Sequence, residues 1–259
     1  MTALVITLAS VVAVAAAVRS TWSPCGLSML STITPIGEQA RRNRYATSAA
    51  WFIAGAVLGG ATLGAGAALL AAGVGALDLP GSTTVAVAAA LAAVTVASDL
   101  QLGGFRLPSH TRQVNETWLD QFRSWVYGGG FGWQIGVGLA TYVTTAAVYL
   151  MIALAALTAS PVAAFGIVTG FGFVRGLAVL LGASLTTPQK MLALHRRLEE
   201  LLPTAQRAVV AVQAVVLAIA AGAAWGPAPA VALAAIGAAA VVGRRPRPAP
   251  RPGTRVASA

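Results

Sequence analysis

The sequence predicts an all-α integral membrane protein of about seven transmembrane helices, arranged as two inverted three-helix repeats plus one extra helix. Three observations predict it. First, 57% of the 259 residues are hydrophobic and only 9% are charged, against roughly 25% charged in a soluble domain. So few charges cannot cover a water-facing surface. Second, the charges cluster and leave long uncharged apolar tracts, several exceeding the ~20 residues that cross a bilayer as a helix. Third, the basic residues behind the net charge of +10 fall between alternate tracts, as the positive-inside rule requires. That placement excludes nucleic acid as the reason for the basic balance and names the lipid bilayer as partner.

Taken in order, tract one runs from about Thr2 to Ile36 and is interrupted by Arg19 and by Ser23-Pro24-Cys25-Gly26. Proline inside a helix loses a hydrogen bond and breaks or kinks it, so this tract predicts a broken helix or a helix followed by a re-entrant piece. Its start lacks a basic n-region, which predicts a retained helix and not a cleaved signal peptide. Gly37–Tyr45 is a charged loop. Tract two, Thr47–Leu77, carries Gly55, Gly59, Gly60 and Gly64 at small-xxx-small spacing, which lets helix backbones approach closely in lipid. After the turn at 78–81, tract three runs from Ser82 to about Ala97.

A polar stretch follows, in which Val114, Trp118, Phe122, Trp125 and Val126 recur at helical spacing and predict an amphipathic helix lying in the interface. Tract four covers Gly128–Leu157 and tract five Pro161–Leu185. Thr187-Pro188 is an N-cap followed by proline at the first helical position, opening a second amphipathic helix, Gln189–Leu202. Tract six is Thr204–Trp225 and tract seven about Pro229–Gly243. The Pro- and Arg-rich remainder predicts disorder. The chain thus divides into a first membrane repeat (1–98), a loop with an amphipathic helix (99–127), a second repeat (128–226), a seventh helix (227–243) and a basic tail (244–259).

With the 37–45 loop in the cytoplasm, alternate crossings put 98–127, 186–203 and the tail there too. Those segments hold every basic residue except Arg19, Arg175 and Arg207, and the opposite turns at 78–81, 158–160 and 226–228 hold none. The expected setting is a plasma membrane with the N-terminus outside and the C-terminus cytoplasmic. The two halves start from opposite sides, as in inverted-repeat transporters. Trp22-Ser23-Pro24-Cys25-Gly26-Leu27 also resembles the stretch from Trp133 to Leu139.

Three residues are candidates for chemistry. Ser23 can cap a helix whose first residue is Pro24, which leaves Cys25 in its first turn. Unpaired N–H groups at such a helix start stabilise a thiolate, and Arg19 is near enough in sequence to add to that effect. The bland alternative is a small buried hydrophobe. Arg19 lies near the middle of tract one and Arg175 near the middle of tract five, with no Asp or Glu inside any tract. A mid-membrane arginine is costly and marks a functional site facing the protein interior. Arg19 could instead snorkel to the interface. Thr32, Thr34, Pro35, Thr144 and Thr145 are weaker candidates, since intramembrane hydroxyls often bond the preceding turn. His195, one turn from Glu199, fits a solvated helix face. The sole cysteine and the distant His110 and His195 make no metal-ligand cluster, and no motif calls for a cofactor.

The stretch Arg19-Ser20-Thr21-Trp22-Ser23-Pro24-Cys25-Gly26-Leu27-Ser28-Met29-Leu30 resembles the CcdA/DsbD transmembrane family, and within it the methylamine-utilisation, MauF-like branch. The resemblance covers about residues 1–226. It implies transfer of reducing equivalents from a thioredoxin-like partner to thiol proteins outside, in support of cytochrome c or methylamine-utilisation proteins. The family uses one cysteine in the first helix, matched by Cys25, and one in its repeat mate. The second belongs near Gly136–Gly138, where this chain has no cysteine. Two other functions stay open: a small-anion transporter using Arg19 and Arg175, and a non-catalytic membrane assembly subunit. Whether the chain is an enzyme is left undecided by the sequence.

Overall fold

The computed structural model describes residues 2–108, 121–140 and 142–233. These residues are helical throughout their regular parts, with no strand among them. In chain order the helices are α1 (Thr2–Ser20), α2 (Pro24–Thr32), α3 (Pro35–Ala40), α4 (Tyr45–Ala76), α5 (Gly81–Asp99), α6 (Ser124–Val137), α7 (Ala147–Leu157), α8 (Pro161–Leu177, extended by a 3-10 segment, Ala178–Ser184) and α9 (Pro188–Trp225). Among the described residues, α1, α4, α5, α8 with its extension, and α9 are long and apolar enough to cross a membrane, and α7 is a shorter apolar helix. Large side chains such as Leu69 and Val162 stay exposed on their outer faces, as a lipid-facing surface requires.

A single local device starts four of these helices. Ser23, Thr34, Ser160 and Thr187 each precede a proline, and each side-chain oxygen accepts the amide N–H three residues on, at Gly26, Gly37, Ala163 and Lys190. Proline lacks the N–H that would go unused there, and each hydroxyl cap stabilises its helix by about 1 kcal/mol.

Helix α4 is the hub. Its small-residue faces lie directly against α6 and α8. A Cβ built on Gly55 would run into the Gly129 carbonyl, and one on Gly60 would stand 3.0 Å from the Gly172 Cα. On the α6 side, a Cβ on Gly132 would strike the Phe52 carbonyl. Close backbone approach is what such residues permit in a helix pair. Helix α4 has 32 residues against 19 in α1 and α5, so it is roughly 20 Å longer at 1.5 Å per residue. After the end of α1, α2 and α3 pack with the 3-10 segment, and α2 joins the start of α9 against the first part of α4 and α6. Two buried clusters follow from this. One gathers α1, α5, α7, α8 and the later parts of α4 and α9. The other gathers Met29, Leu30 and Ile33 with Phe52, Tyr127, Phe131, Val179 and Leu198.

Several sequence expectations change here. Tract four is two helices, with an irregular stretch between Val137 and Ala147. Gly138 turns the chain with φ 73, a region open to glycine and strained for other residues. The 189–202 helix and tract six are one helix, α9, with Pro203 inside it. Proline removes a rung of the ladder, and the nearby Leu198 carbonyl accepts from Trp22 Nε1 at 2.7 Å. Helix α1 ends at Ser20, so Arg19 stands in its last turn and not mid-tract. Of the 98–127 amphipathic helix, Val114 and Trp118 lie outside the described residues, as does His110. Phe122 and Trp125 are described and exposed. Residues 227–233 are helical, and the rest of tract seven and the tail lie outside the described residues.

Candidate functional site at the helix breaks

Cys25 sits in the first turn of α2 and is 2% exposed. Ser23 takes the Gly26 N–H at 3.1 Å, which fixes that turn against the end of α1. The Cys25 sulfur lies within electrostatic reach of Arg175. Arg175 occupies the last turn of α8 and is 3% exposed. Its Nη1 donates to the Ile135 carbonyl at 2.6 Å, and its guanidinium lies 5.5 Å from the centre of the Phe171 ring.

Ile135 is in the final turn of α6, where the helix dipole is negative, and its carbonyl also accepts the Gly138 N–H at 3.1 Å. A buried guanidinium there meets a carbonyl, a helix end and an aromatic face at once, and each offsets part of its desolvation. Gly138 closes this corner. A Cβ built on it would come 2.7 Å from Phe171 Cε1 and 3.5 Å from Arg175 Nη1. Of the stretch Gly136–Gly138 that the resemblance reserves for a second thiol, Gly138 is beside Arg175 with the Phe171 ring in the way, and a Cβ on Gly136 would strike the Ala56 carbonyl.

Arg19 does not join that group. Its charged neighbour is Asp99, at the C-terminal end of α5. Asp99 takes a hydrogen bond from the Thr145 hydroxyl at 2.5 Å, from the Ala146 N–H at 2.7 Å and from Gln213 Nε2 at 2.7 Å. It thereby caps the start of α7. Sequence inspection placed no acid near Arg19 because Asp99 stands just past the apolar tract, and only packing of α5 beside α1 joins them. A cavity of about 270 Å³ opens here, lined among others by Arg19, Asp99, Arg106, Tyr142 and Thr144. Arg19 is 8% exposed, yet its Nε and Nη1 have no acceptor among the described residues, and the Thr144 hydroxyl is likewise unpartnered.

Two further polar groups differ from their sequence expectation. Glu38, expected in a charged loop, is fully buried. Its Oε2 accepts from the Ser48 hydroxyl at 2.5 Å and the Tyr127 hydroxyl at 2.6 Å, and Arg41 Nη1 approaches Oε1 at 3.3 Å. This ties α3, α4 and α6 together, and no periodicity in a six-residue helix could have revealed it. His195, expected on a solvated face, is half-buried: Nδ1 faces the Met191 carbonyl at 2.9 Å and Nε2 faces the Ser31 hydroxyl at 3.1 Å. Among the weaker candidates, Thr34 caps α3, Thr32 bonds the Ser28 carbonyl and Thr145 serves Asp99.

Long apolar helices around interrupted ones, with polar groups gathered at the interruptions, are the architecture of a helical membrane protein. Curated relatives narrow this class. The chain is similar to the methylamine utilization protein MauF of Paracoccus denitrificans, at 32% identity over 177 residues, covering 66% of this chain and 62% of that protein. The MauF of Paracoccus versutus is 33% identical over 175 residues (64% and 61%), and that of Methylorubrum extorquens 32% over 166 (61% and 56%). The matched stretch thus spans about three fifths of the length of these relatives. No family model matches the chain, and no solved structure does.

Proposed function

We propose that this protein is a plasma-membrane thiol protein of the MauF-like kind, supporting maturation of an extracytoplasmic protein used in methylamine utilisation. Its halves are two inverted repeats with a seventh helix, its N-terminus faces outward and its C-terminus the cytoplasm. The observation that carries the reading is the position of Cys25, at a proline-started helix N-terminus within electrostatic reach of Arg175, which itself bonds the end of α6. Thiol–disulfide exchange needs one sulfur nucleophile, and Cys25 is the sole cysteine of the sequence.

In the proposed step the Cys25 thiolate attacks one sulfur of a partner's disulfide. A mixed disulfide forms and the partner's other sulfur leaves as a thiolate. A thioredoxin-like dithiol then attacks the mixed disulfide with its first thiol, releasing the reduced partner or regenerating Cys25. Its second thiol resolves the new bond, so two electrons pass and no second cysteine is needed in this chain. Because Cys25 is buried, α2 must shift for a partner to reach it.

The test is to quench cells with acid, alkylate free thiols and look for a reducible adduct of the full chain. Adducts that vanish in Cys25→Ser support the reading. Their absence from wild type under conditions where partners accumulate oxidised would leave a non-catalytic assembly subunit. That second reading is favoured by Gly138, whose Phe171 neighbour fills the second thiol's place. The transport reading loses one of its two residues, since Arg175 finds its partners within the protein.

A further inference from the structure

The cavity at Arg19 is independent of the Cys25 site and is put to no use by the thiol chemistry. We propose that it binds a singly charged phosphate group, through Arg19 with Arg106, Tyr142 and Thr144 around it. Four observations lead there. Arg19 is more than nine-tenths buried, lines the cavity, and has two donor nitrogens without an acceptor among the described residues. A buried unpaired cationic donor costs several kcal/mol, so an acceptor is required. Asp99 attracts Arg19 but takes no bond from these two nitrogens, its oxygens accepting instead from Thr145, Ala146 and Gln213.

The charge balance gives the sign and size of the ligand charge. Among the described residues, the ionisable acid–base side chains of the lining are Arg19, Arg106 and Asp99 with two tyrosines. At neutral pH this leaves one positive charge, which a monoanion neutralises. Donors come from three stretches of chain, α1, the segment after α5 and the stretch before α7, which suits an anion with several acceptor oxygens.

Two sources fit this chemistry: the monoanionic form of inorganic phosphate, or the phosphodiester of an anionic lipid. The cavity lies where the apolar helices α1 and α5 both end, at the level where headgroups would meet the chain.

The experiment is thermal unfolding of the full-length protein in nanodiscs. In phosphatidylcholine discs, inorganic phosphate is titrated. In a second arm, phosphatidylglycerol discs without phosphate are compared with phosphatidylcholine discs. Saturable stabilisation in the first arm identifies the free ion, and stabilisation only in the second identifies the lipid headgroup. Either supports the proposal if Arg106→Gln, at an exposed position, weakens the effect about tenfold, the worth of one charge-assisted hydrogen bond. Arg19→Gln is expected to abolish it, and Arg175→Gln to leave its midpoint unchanged. If Arg19→Gln fails to fold, Thr144→Val with Arg106→Gln carries the test. Stabilisation in neither arm, or stabilisation indifferent to Arg19 and Arg106, overturns the proposal.

Discussion

Two arginines of the same type, both buried near the end of an apolar helix, are handled in opposite ways. Arg175 is paired inside the protein: its Nη1 meets the Ile135 carbonyl at the end of α6, and Phe171 lies under its guanidinium. Arg19 has an acid in range, but Asp99 is already committed to α7 and two of the arginine's nitrogens stay unsatisfied beside a cavity. The difference lies in what ends next to each. A helix C-terminus supplies spare carbonyls, so a cation there completes a structure. A carboxylate spent on capping leaves its cation open to something else. A buried charge is thus a structural element in one place and half of a binding site in the other.

That contrast can be broken by substitution, and the largest effect is expected at Arg175. Arg175→Ala removes a buried side chain together with its bond to the Ile135 carbonyl and its contact with the Phe171 ring, and should lower unfolding stability in detergent by about 3 kcal/mol. Arg19→Met, measured in phosphate-free detergent, should change stability by less than about 1 kcal/mol, because the lost attraction to Asp99 is offset by removal of two unsatisfied donors. Equal losses at both positions would erase the distinction.

Gly138→Ala sharpens the Arg175 side. It forces a side chain onto a positive φ and into the Phe171 ring, and should cost about 2 kcal/mol by the same unfolding measurement. A smaller loss than at Arg175 or Gly138 is expected for Trp22→Phe, which removes the Nε1 bond to Leu198 and part of the ring packing on the second buried cluster and should cost about 1 kcal/mol.

The spans were legible in the sequence because bilayer crossing demands long runs of uncharged residues, and α1, α4, α5, α8 and α9 each contain one. The starts of α2 and α9 were legible for a local reason, a hydroxyl residue before proline. The α6 break was not, since Gly138 is one glycine in a glycine-rich stretch and nothing in the one-dimensional pattern marks which of them turns the chain. Cys25 and Arg175 were singled out by chemistry and cost, but their proximity is a product of tertiary packing across 150 residues. Arg19 was assigned to Cys25 by sequence distance, whereas the helix end between them sends it to Asp99. Glu38 was hidden because its partners Ser48 and Tyr127 lie on two other helices.

The pairing of Cys25 with Arg175 is the claim on which the thiol reading depends, and exchange kinetics test it most directly. The purified full-length protein would be mixed at neutral pH with a small aromatic disulfide, and release of the aromatic thiol followed in wild type, Arg175→Gln and Arg19→Gln. The expected result is exchange in wild type, slowing of about tenfold in Arg175→Gln, as loss of a nearby cation removes its attraction for the charge on the attacking sulfur, and a wild-type rate in Arg19→Gln. A wild-type protein that does not react, or a slowing that follows Arg19 and not Arg175, would contradict it.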